Sequence, residues 1–259
     1  MSGAVPCGFR KRLHSGETVV GAFVNLASPL CTEIMGIAGF DWLVLDLEHG
    51  AGDEALLGTQ LLALKGADVA TLVRIEAVDL PRFMHVLDLG ADGVFVPRLR
   101  SADDARRCVE YSRYEGSRGV ARYNRSWHWG QAKRSLAEAD AEVVCVAQIE
   151  TADALADVDA IAAVDGVDVL FVGPADLAHS LGMTCPPDHP DLLAHAAKVV
   201  EAAGTHGKAA GVLTGSLRQL RAYKELGFTF LGCSSDGSVL IEGATALVTD
   251  LRELARTGG

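Results

Sequence analysis

Eight short apolar runs, each separated from the next by a segment of helical periodicity, constrain the fold of this chain more than any other feature. They lie at residues 18–26, 41–48, 69–75, 93–99, 142–150, 168–174, 208–213 and 228–234. Strands that are apolar on both faces and alternate with helices predict a parallel sheet covered by helices. Eight such units predict a closed (β/α)8 barrel, the TIM barrel, in a single domain over residues 1–259. An open doubly wound sheet is the alternative, although no strand is followed by G-x-G-x-x-G and G-x-x-x-x-G-K-[ST] is absent.

The composition favours a globular protein that acts on small molecules. A length of 259 residues is typical of one such barrel, and 49% hydrophobic residues supply a large core. The formal net charge of -11 argues against nucleic acid and membrane partners, because both require a basic surface. The six cysteines form no CxxC pair, and no apolar run reaches the roughly 18 residues of a membrane span. We therefore expect reduced thiols in a cytoplasmic protein.

Polar side chains stand at the ends of several predicted strands, where a parallel barrel builds its active site. Because the carboxyl ends of all strands meet at one face of the barrel, we expect these side chains to share one catalytic mouth. They are Asp46, Glu48 and His49 after the second run, Arg74 and Glu76 after the third, Gln148 and Glu150 after the fifth, and Asp176 after the sixth.

Glu150 and Asp176 follow neighbouring strands and form the most informative pair. Two carboxylates, with water and substrate filling the other positions, suit Mg²⁺ or Mn²⁺. The alternative is that each carboxylate caps the helix that follows it, which the spacing allows equally well.

Arg74 and His49 are the candidates for charge stabilisation and proton transfer. Arg74 ends an apolar strand, so it either binds an anion or pairs with Glu48 or Glu76. A carboxylate beside His49 can hold the imidazole as a general base. The six lysines fall on predicted helices or, for Lys208, at the start of a strand, which disfavours a Schiff base.

One connection is unusually long and rich in arginine and aromatic residues. The sequence EGSRGVARYNRSWHWG lies between the fourth helix and the fifth strand and is followed by a predicted short helix from Gln131 to about Ala139. Long loops in compact domains are usually functional or interfacial, so this loop is expected to be one or the other.

Several segments together resemble the HpcH/HpaI aldolase family of metal-dependent, pyruvate-using class II aldolases, which includes 4-hydroxy-2-oxoheptanedioate and 2-dehydro-3-deoxyglucarate aldolases. They are DWLVLDLEHG, the Arg of LVRIE, VLDLGADGVFVPRLRSADDA, RYEGSRGV, VAQIET and DVLFVGPADLAHSLG, and they span nearly the whole chain in order. The resemblance implies a (β/α)8 barrel whose eighth helix is commonly exchanged between subunits. It also implies a homo-oligomer, a hexamer built from dimers.

The resemblance implies a role for each site residue. Glu150 and Asp176 would be the two protein ligands of a divalent metal ion, Mg²⁺ or Mn²⁺ with Co²⁺ as a further option. Arg74 would stabilise the enolate oxygen. His49 would transfer the proton, with Asp46 nearby and Asp88, from a neighbouring subunit, as another partner. The substrate would be held by Gln148, by backbone amides near Pro174 and Ala175, and by Leu213 and Arg122 in the pocket.

The implied function is a lyase that reversibly cleaves 4-hydroxy-2-oxo acids to pyruvate, or a related 2-oxo acid, and an aldehyde. Condensing or decarboxylating enzymes similar to citrate synthase or macrophomate synthase need the same enolate and are an alternative. A barrel that binds metal and 2-oxo acid without catalysis is a third. The loop departs from familiar aldolases at ARYNRSWHWG, where Arg122, Tyr123 and Asn124 would contact a polar or anionic aldehyde or an interface.

Overall fold

A computed structural model describes residues 8–257, which form a closed barrel of eight parallel strands in the order β1 to β8. All eight predicted strands are present, and the barrel prediction is confirmed. The strands are β1 Val19–Val24, β2 Trp42–Asp46, β3 Ala70–Arg74, β4 Gly93–Val96, β5 Val144–Ile149, β6 Val169–Val172, β7 Ala209–Thr214 and β8 Phe230–Ser235.

Helices connect the strands, and several begin where a polar side chain caps the first turn. The caps Ser28, Asp53, Asp79, Ser101 and Ser216 each accept a backbone N–H bond. The helices are α1 Phe9–His14, α2 Pro29–Ile37, α3 Glu54–Ala63, α4 Leu80–Asp88, α5 Ala102–Ser112, α6 Leu136–Glu142, α7 Ala152–Ala156, α8 Val158–Ala162, α9 Pro174–Ser180, α10 Pro190–Thr205, α11 Leu217–Leu226 and α12 Asp236–Thr257.

The core has two layers because alternate strand residues face opposite sides of the wall. Aromatic and branched side chains, including Phe23, Phe95 and Phe171, fill the barrel interior. Trp42 stacks on Phe230 there, with ring centroids 4.1 Å apart. A larger aliphatic cluster lies between the wall and the helices. The interior is thus a packed core, and chemistry is confined to the ends of the barrel.

The amino-terminal end of the barrel, called the floor below, carries a repeated aspartate. Asp41, Asp92 and Asp168 each precede an even-numbered strand. Each accepts the backbone N–H of a residue in the preceding strand, at 2.8 Å for Val20, 2.7 Å for Thr71 and 2.9 Å for Cys145. Asp168 also binds Arg10 and His14 on α1, at 2.7 and 2.8 Å. These bonds fasten α1 across the floor.

The last helix, α12, is anchored by the buried Asp236 in its first turn, and beyond that turn its side chains are uncovered. Residues 239–256 are exposed throughout, and apolar residues such as Ile241 and Leu254 have 64% and 70% of their surface open. Helix α2 likewise exposes Leu30, Ile34 and Ile37, which recur with helical spacing on one face. In the described range 8–257, Leu30, Ile34 and Ile37 of α2 and Leu240, Ile241, Leu247 and Leu251 of α12 remain largely exposed.

Two details differ from expectation. The short helix predicted from Gln131 starts instead at Leu136, because Ser135 and Glu138 form a capping box that sets its first turn. The preceding segment, Arg125–Gly130, begins with a turn capped by Asn124 and then leaves helical geometry, because His128 and Trp129 have positive φ. The five cysteines within residues 8–257 are free, as predicted, whereas Cys7 lies outside the described residues. None of the helices in that range combines the length and apolarity of a membrane span.

Candidate active site

The carboxyl-terminal end of the barrel, called the mouth below, holds one buried arginine between two carboxylates. Arg74 donates Nε to Asp46 Oδ1 at 2.8 Å and Nη2 to Asp46 Oδ2 at 2.7 Å. Its Nη1 lies 3.1 Å from Glu48 Oε2. The register of β2 and β3 sets this arrangement because it aligns Asp46 with Arg74. Of the two expected partners of Arg74, Glu48 is found and Glu76 is not; Glu76 pairs with Arg82.

His49 stands at the rim of the mouth rather than inside it. Its side chain is 69% exposed, and Nε2 lies 3.8 Å from Glu48 Oε1. Asp46 accepts the backbone N–H of His49 at 3.3 Å, but its carboxylate is used by Arg74 and does not bond the imidazole. The expected orienting contact between Asp46 and the imidazole is therefore absent, and Glu48 is the carboxylate nearest to that ring.

Glu150 is a buried carboxylate whose negative charge is only partly compensated by its neighbours. Oε1 accepts the backbone N–H of Arg98 at 2.7 Å, and Gln148 donates Nε2 to Oε2. Burial raises the pKa of Glu150 to about 7; the charges of Asp176 and Glu48 raise it further, against the opposing effects of the Arg98 N–H and Arg74. Desolvation also raises the pKa of Glu48, against the lowering effect of Arg74. The mouth thus concentrates negative charge around one buried arginine, Arg74.

Asp176 lies in the first turn of α9, and the helix has Gly173 as its cap. The following helix after β5, α7, is capped by Thr151. The alternative that Glu150 and Asp176 serve as helix caps is therefore wrong. Gly173 makes no side-chain cap bond, so the N–H groups of Ala175 and Asp176 in the first turn have no capping side chain. Pro174 is buried beneath them, whereas Ala175 and Asp176 are exposed.

Gly173 has no side chain because the site leaves no room for one. A Cβ at this position would lie 2.8 Å from Glu150 Oε2 and 3.0 Å from Gln148 Nε2. Leu213, on β7, is half-buried and packs against the interior cluster below the mouth. Gln148 is buried, and its Oε1 atom has no hydrogen-bond partner. These residues lie at or just after the carboxyl ends of β5, β6 and β7.

Asp88 and Arg122 lie away from the mouth of their own chain. Asp88 ends α4, which runs from the mouth to the floor, and it accepts a 2.9 Å bond from Arg118. Arg122 is in the loop between α5 and β5, also on the floor side, with its guanidinium 5.0 Å from the ring of Trp127. Neither residue contacts the mouth within one chain, because a connection from helix to strand lies at the amino-terminal end of the barrel.

Three further residues at the mouth were not identified from the sequence. Asn25 donates Nδ2 to Asp46 Oδ2 at 2.8 Å, and its position just after an apolar strand was a usable signal. Phe23 lies under Arg74, with the guanidinium carbon 4.9 Å from the ring centroid. Arg98 contributes a backbone N–H to Glu150 from a left-handed conformation, φ 55°, and no sequence pattern announces that conformation.

The lysines lie away from the carboxyl ends of the strands, although Lys133 precedes α6 and does not lie on a helix as predicted. All six belong to the described residues, and none follows the carboxyl end of a strand; Lys208 precedes β7 at the floor. Within residues 8–257, no group of three or more His, Cys, Asp or Glu side chains has the arrangement of a metal site. An ion bound here would be held by two protein carboxylates, with other ligands completing its shell.

Enzymes with a (β/α)8 barrel carry their active sites at the carboxyl-terminal end of the strands, which is where this chain gathers the buried Arg74 and the carboxylates around it. The model of the HpcH/HpaI aldolase/citrate lyase family matches residues 20–243. A hydroxypyruvate/pyruvate aldolase of Roseobacter denitrificans is 36% identical over 248 residues, covering 95% of this chain and 97% of the relative. A 5-keto-4-deoxy-D-glucarate aldolase of Salmonella arizonae is 36% identical over 250 residues, covering 96% and 98%.

A solved structure shows the same fold. An HpcH/HpaI aldolase/citrate lyase family protein from Burkholderia cenocepacia J2315 superposes with a TM-score of 0.90 at 33% identity, covering 95% of this chain and 99% of that one. The chain belongs to the HpcH/HpaI aldolase/citrate lyase family. It is an aldolase, an enzyme of the carbon–carbon lyase class.

Proposed function

We propose that the enzyme cleaves 4-hydroxy-2-oxo acids to pyruvate, or a related 2-oxo acid, and an aldehyde by a metal-dependent class II reaction, and that it also runs in reverse. The observation that carries the proposal is the mouth itself. It has a buried carboxylate at Glu150, a second carboxylate at Asp176, one buried arginine at Arg74 and no lysine to form a Schiff base.

The residues present fit a divalent cation. Glu150 is a buried carboxylate whose pKa is raised to about 7 by desolvation and by nearby negative charge, and a cation would relieve both effects. The Oε1 atom of the neighbouring Gln148 is buried and has no hydrogen-bond partner. An all-oxygen donor set suits Mg²⁺ or Mn²⁺, with Co²⁺ as a further option. When bound, such a cation supplies positive charge that favours the enolate of the 2-oxo acid.

Arg74 is suited to stabilise the enolate oxygen. Asp46 fixes the guanidinium through two hydrogen bonds, and the ring of Phe23 packs against it, so its orientation is set before substrate binds. The nearby N–H groups of Ala175 and Asp176, which no side chain caps, can hold the carboxylate of the 2-oxo acid. Leu213 and Gln148 would border the same pocket.

His49 is the proton-transfer residue in this proposal. Its exposed position at the rim suits a group that meets the C4 hydroxyl of the substrate, directly or through water. Asp46 acts mainly on Arg74, so the carboxylate that orients the imidazole is Glu48 or, in an oligomer, Asp88 of another copy. Asp88 and Arg122 lie on the floor side of their own chain and can serve a mouth only in a neighbouring subunit.

We further propose that residues 1–259 form one barrel domain in a homo-oligomer, a hexamer or trimer of dimers, with α12 exchanged between subunits. The uncovered apolar residues of α12 and of α2 support this, because a second copy can bury both surfaces. Leu251→Glu and Ile34→Glu should each reduce the molar mass measured by light scattering, whereas Asp250→Asn should not. An unchanged mass in both glutamate variants would contradict the exchange.

The test of the catalytic proposal is hydrogen exchange at the methyl group of pyruvate. During incubation with Mg²⁺ or Mn²⁺ in D₂O, deuterium should replace the methyl protons of pyruvate, so the methyl signal in proton NMR should decrease. A chelator should stop this exchange. Arg74→Ala should bind Mn²⁺ but lose exchange, because it removes the enolate-stabilising charge. No metal-dependent exchange by the unmodified enzyme, or a lysine adduct trapped by borohydride with pyruvate, would overturn the proposal.

A further inference from the structure

Arg98 is a cation of the mouth that has no partner. It follows β4 directly after Pro97, and its backbone N–H lies 2.7 Å from Glu150 Oε1. Its side chain is exposed, and no hydrogen bond or ion pair joins the guanidinium to any residue in the described range 8–257. Arg74, which ends β3, and Arg82, on α4, differ: Arg74 pairs with Asp46 and Glu48, and Arg82 with Glu54 and Glu76. Arg100, two residues on, is also exposed, but its backbone N–H bonds Asp104 and not the mouth.

The backbone of Arg98 is held on both sides. Its own N–H binds Glu150, and the carbonyl oxygen of the next residue, the buried Leu99, accepts a 2.8 Å bond from Thr151. Since the N–Cα bond is about 1.5 Å long, the Cα atom lies within about 4.2 Å of the Glu150 carboxylate. The side chain of Arg98 therefore starts next to Glu150, the proposed metal ligand.

The conformation of Arg98 indicates that its side chain is used. Its φ of 55° is in the left-handed region, which is unfavourable for a residue with a Cβ and natural for glycine. Glycine would supply the same N–H to Glu150 without that penalty. An arginine that is strained, exposed and unpaired contributes a free guanidinium at the mouth, in a protein of net charge -11.

We propose that Arg98 binds an anionic group, a carboxylate or a phosphate, on the acceptor aldehyde and so selects anionic aldehydes over neutral ones. A guanidinium presents parallel N–H donors that match either group in a bidentate manner. Arg98 is then a specificity-determining residue on the acceptor side of the pocket, whereas Arg74 serves the enolate. The inference rests on the proposed aldol reaction and adds the charge of its acceptor.

The experiment compares kcat/KM for addition of pyruvate to aldehydes matched in size but not in charge. Succinic semialdehyde with butanal tests the carboxylate, and glyceraldehyde 3-phosphate with glyceraldehyde tests the phosphate. In at least one pair, the anionic-to-neutral ratio should exceed one and should fall about 10- to 100-fold in Arg98→Gln, the usual effect of losing a charge-assisted bond. Arg98→Lys should recover part of the ratio because it restores the charge.

Arg100→Gln is the matched control, because Arg100 is another exposed arginine in the same loop and should leave the ratio as it is. A ratio unchanged by Arg98→Gln in both pairs would overturn the proposal, as would a fall in Arg122→Gln instead. Deuterium exchange into pyruvate by the unmodified enzyme needs no aldehyde. Exchange with an unchanged ratio therefore defeats the Arg98 inference alone, whereas absence of exchange defeats the proposed reaction.

Discussion

The floor and the mouth of this barrel both hold buried carboxylates, and two of them, Asp168 at the floor and Glu150 at the mouth, differ in how far their charge is compensated. Asp168, whose side chain has no exposed surface, accepts bonds from Arg10, His14 and the N–H of Cys145. Glu150 has one backbone N–H and one amide, and its pKa is raised to about 7 by burial. Asp168 is therefore a structural tie, whereas Glu150 keeps a charge that the proposed cation would compensate.

This difference shows how one fold divides stability from chemistry. The ion pairs and the backbone bond of Asp168 favour the folded state, and the uncompensated charge of Glu150 opposes it. Substitutions at the two ends should therefore have opposite effects on activity and on stability.

The largest effect is expected from Glu150→Gln. Loss of the charge should abolish Mn²⁺ binding in calorimetric titration and lower kcat/KM for aldol cleavage by about 1000-fold or more. The free energy of unfolding in urea with chelator present should be unchanged or higher, because a buried charge has been removed. Activity within tenfold of the unmodified enzyme would show that the mouth does not work as described.

Asp168→Asn should have the reverse effect. The substitution leaves Arg10 without its buried counter-ion and should lower the free energy of unfolding by about 3 kcal/mol. This is the lower end of the usual range, because Arg10 is partly exposed. The kcat measured below the unfolding transition should change less than twofold. An unchanged urea midpoint would show that Asp168 at the floor does not stabilise the folded state.

In the metal-free enzyme, the free energy of unfolding should depend on pH because of Glu150 at the mouth. Because the folded pKa of Glu150, about 7, lies above its unfolded value near 4.5, the folded state holds the proton more tightly. Stability is therefore highest below pH 4.5 for this group and is lost as pH rises toward 7. The loss from this one group is roughly 2 kcal/mol between pH 5 and pH 7.

Adding a metal ion should distinguish the pH effect of Glu150 at the mouth from that of Asp92 at the floor. Asp92 also has a pKa raised to about 7 by desolvation, but it lies at the other end of the barrel. Saturating Mn²⁺ should cancel the decline due to Glu150 and leave that due to Asp92, so the stabilisation by Mn²⁺ should grow from pH 5 to pH 7. Urea unfolding at fixed protein concentration measures it. Equal stabilisation at both pH values would contradict the assignment.

The smallest effect is expected from His14→Gln at the floor. The imidazole bonds Asp168 at 2.8 Å, but it is partly exposed and Arg10 and the Cys145 N–H still satisfy the carboxylate. The free energy of unfolding should fall by no more than about 1 kcal/mol. A loss as large as that of Asp168→Asn would show that His14 is the main partner.

Much of the fold was predictable because its signals are local. Apolar runs flanked by helical periodicity gave all eight strands, and the rule that strands end at the mouth brought Asp46, Arg74, Gln148 and Glu150 to one face. The start of α6 was missed because a capping box overrides the helix-forming residues before it.

Pairing at the site was less predictable, since it depends on register and on the course of the loops. Asp46 was expected to orient His49, but the alignment of β2 with β3 gives its carboxylate to Arg74. Asp88 lies at the far end of its helix and bonds Arg118. The N–H that Arg98 donates to Glu150 depends on a left-handed residue, a choice that local sequence does not reveal.

The long loop between α5 and β5 has a small core of its own. Tyr114, Trp127 and Ala139 are buried together, and Trp127 donates Nε1 to the hydroxyl of Tyr114 at 2.7 Å. The tip, by contrast, leaves Tyr123 and Trp129 exposed at 86% and 70%. A segment anchored by its own packing can exchange its tip residues without disturbing the barrel wall. The loop combines this small core with ties to the ends of α3 and α4, where Arg125 donates to the carbonyls of Leu61 and Leu89, so evolution or engineering can change what the tip contacts while the catalytic scaffold stays fixed.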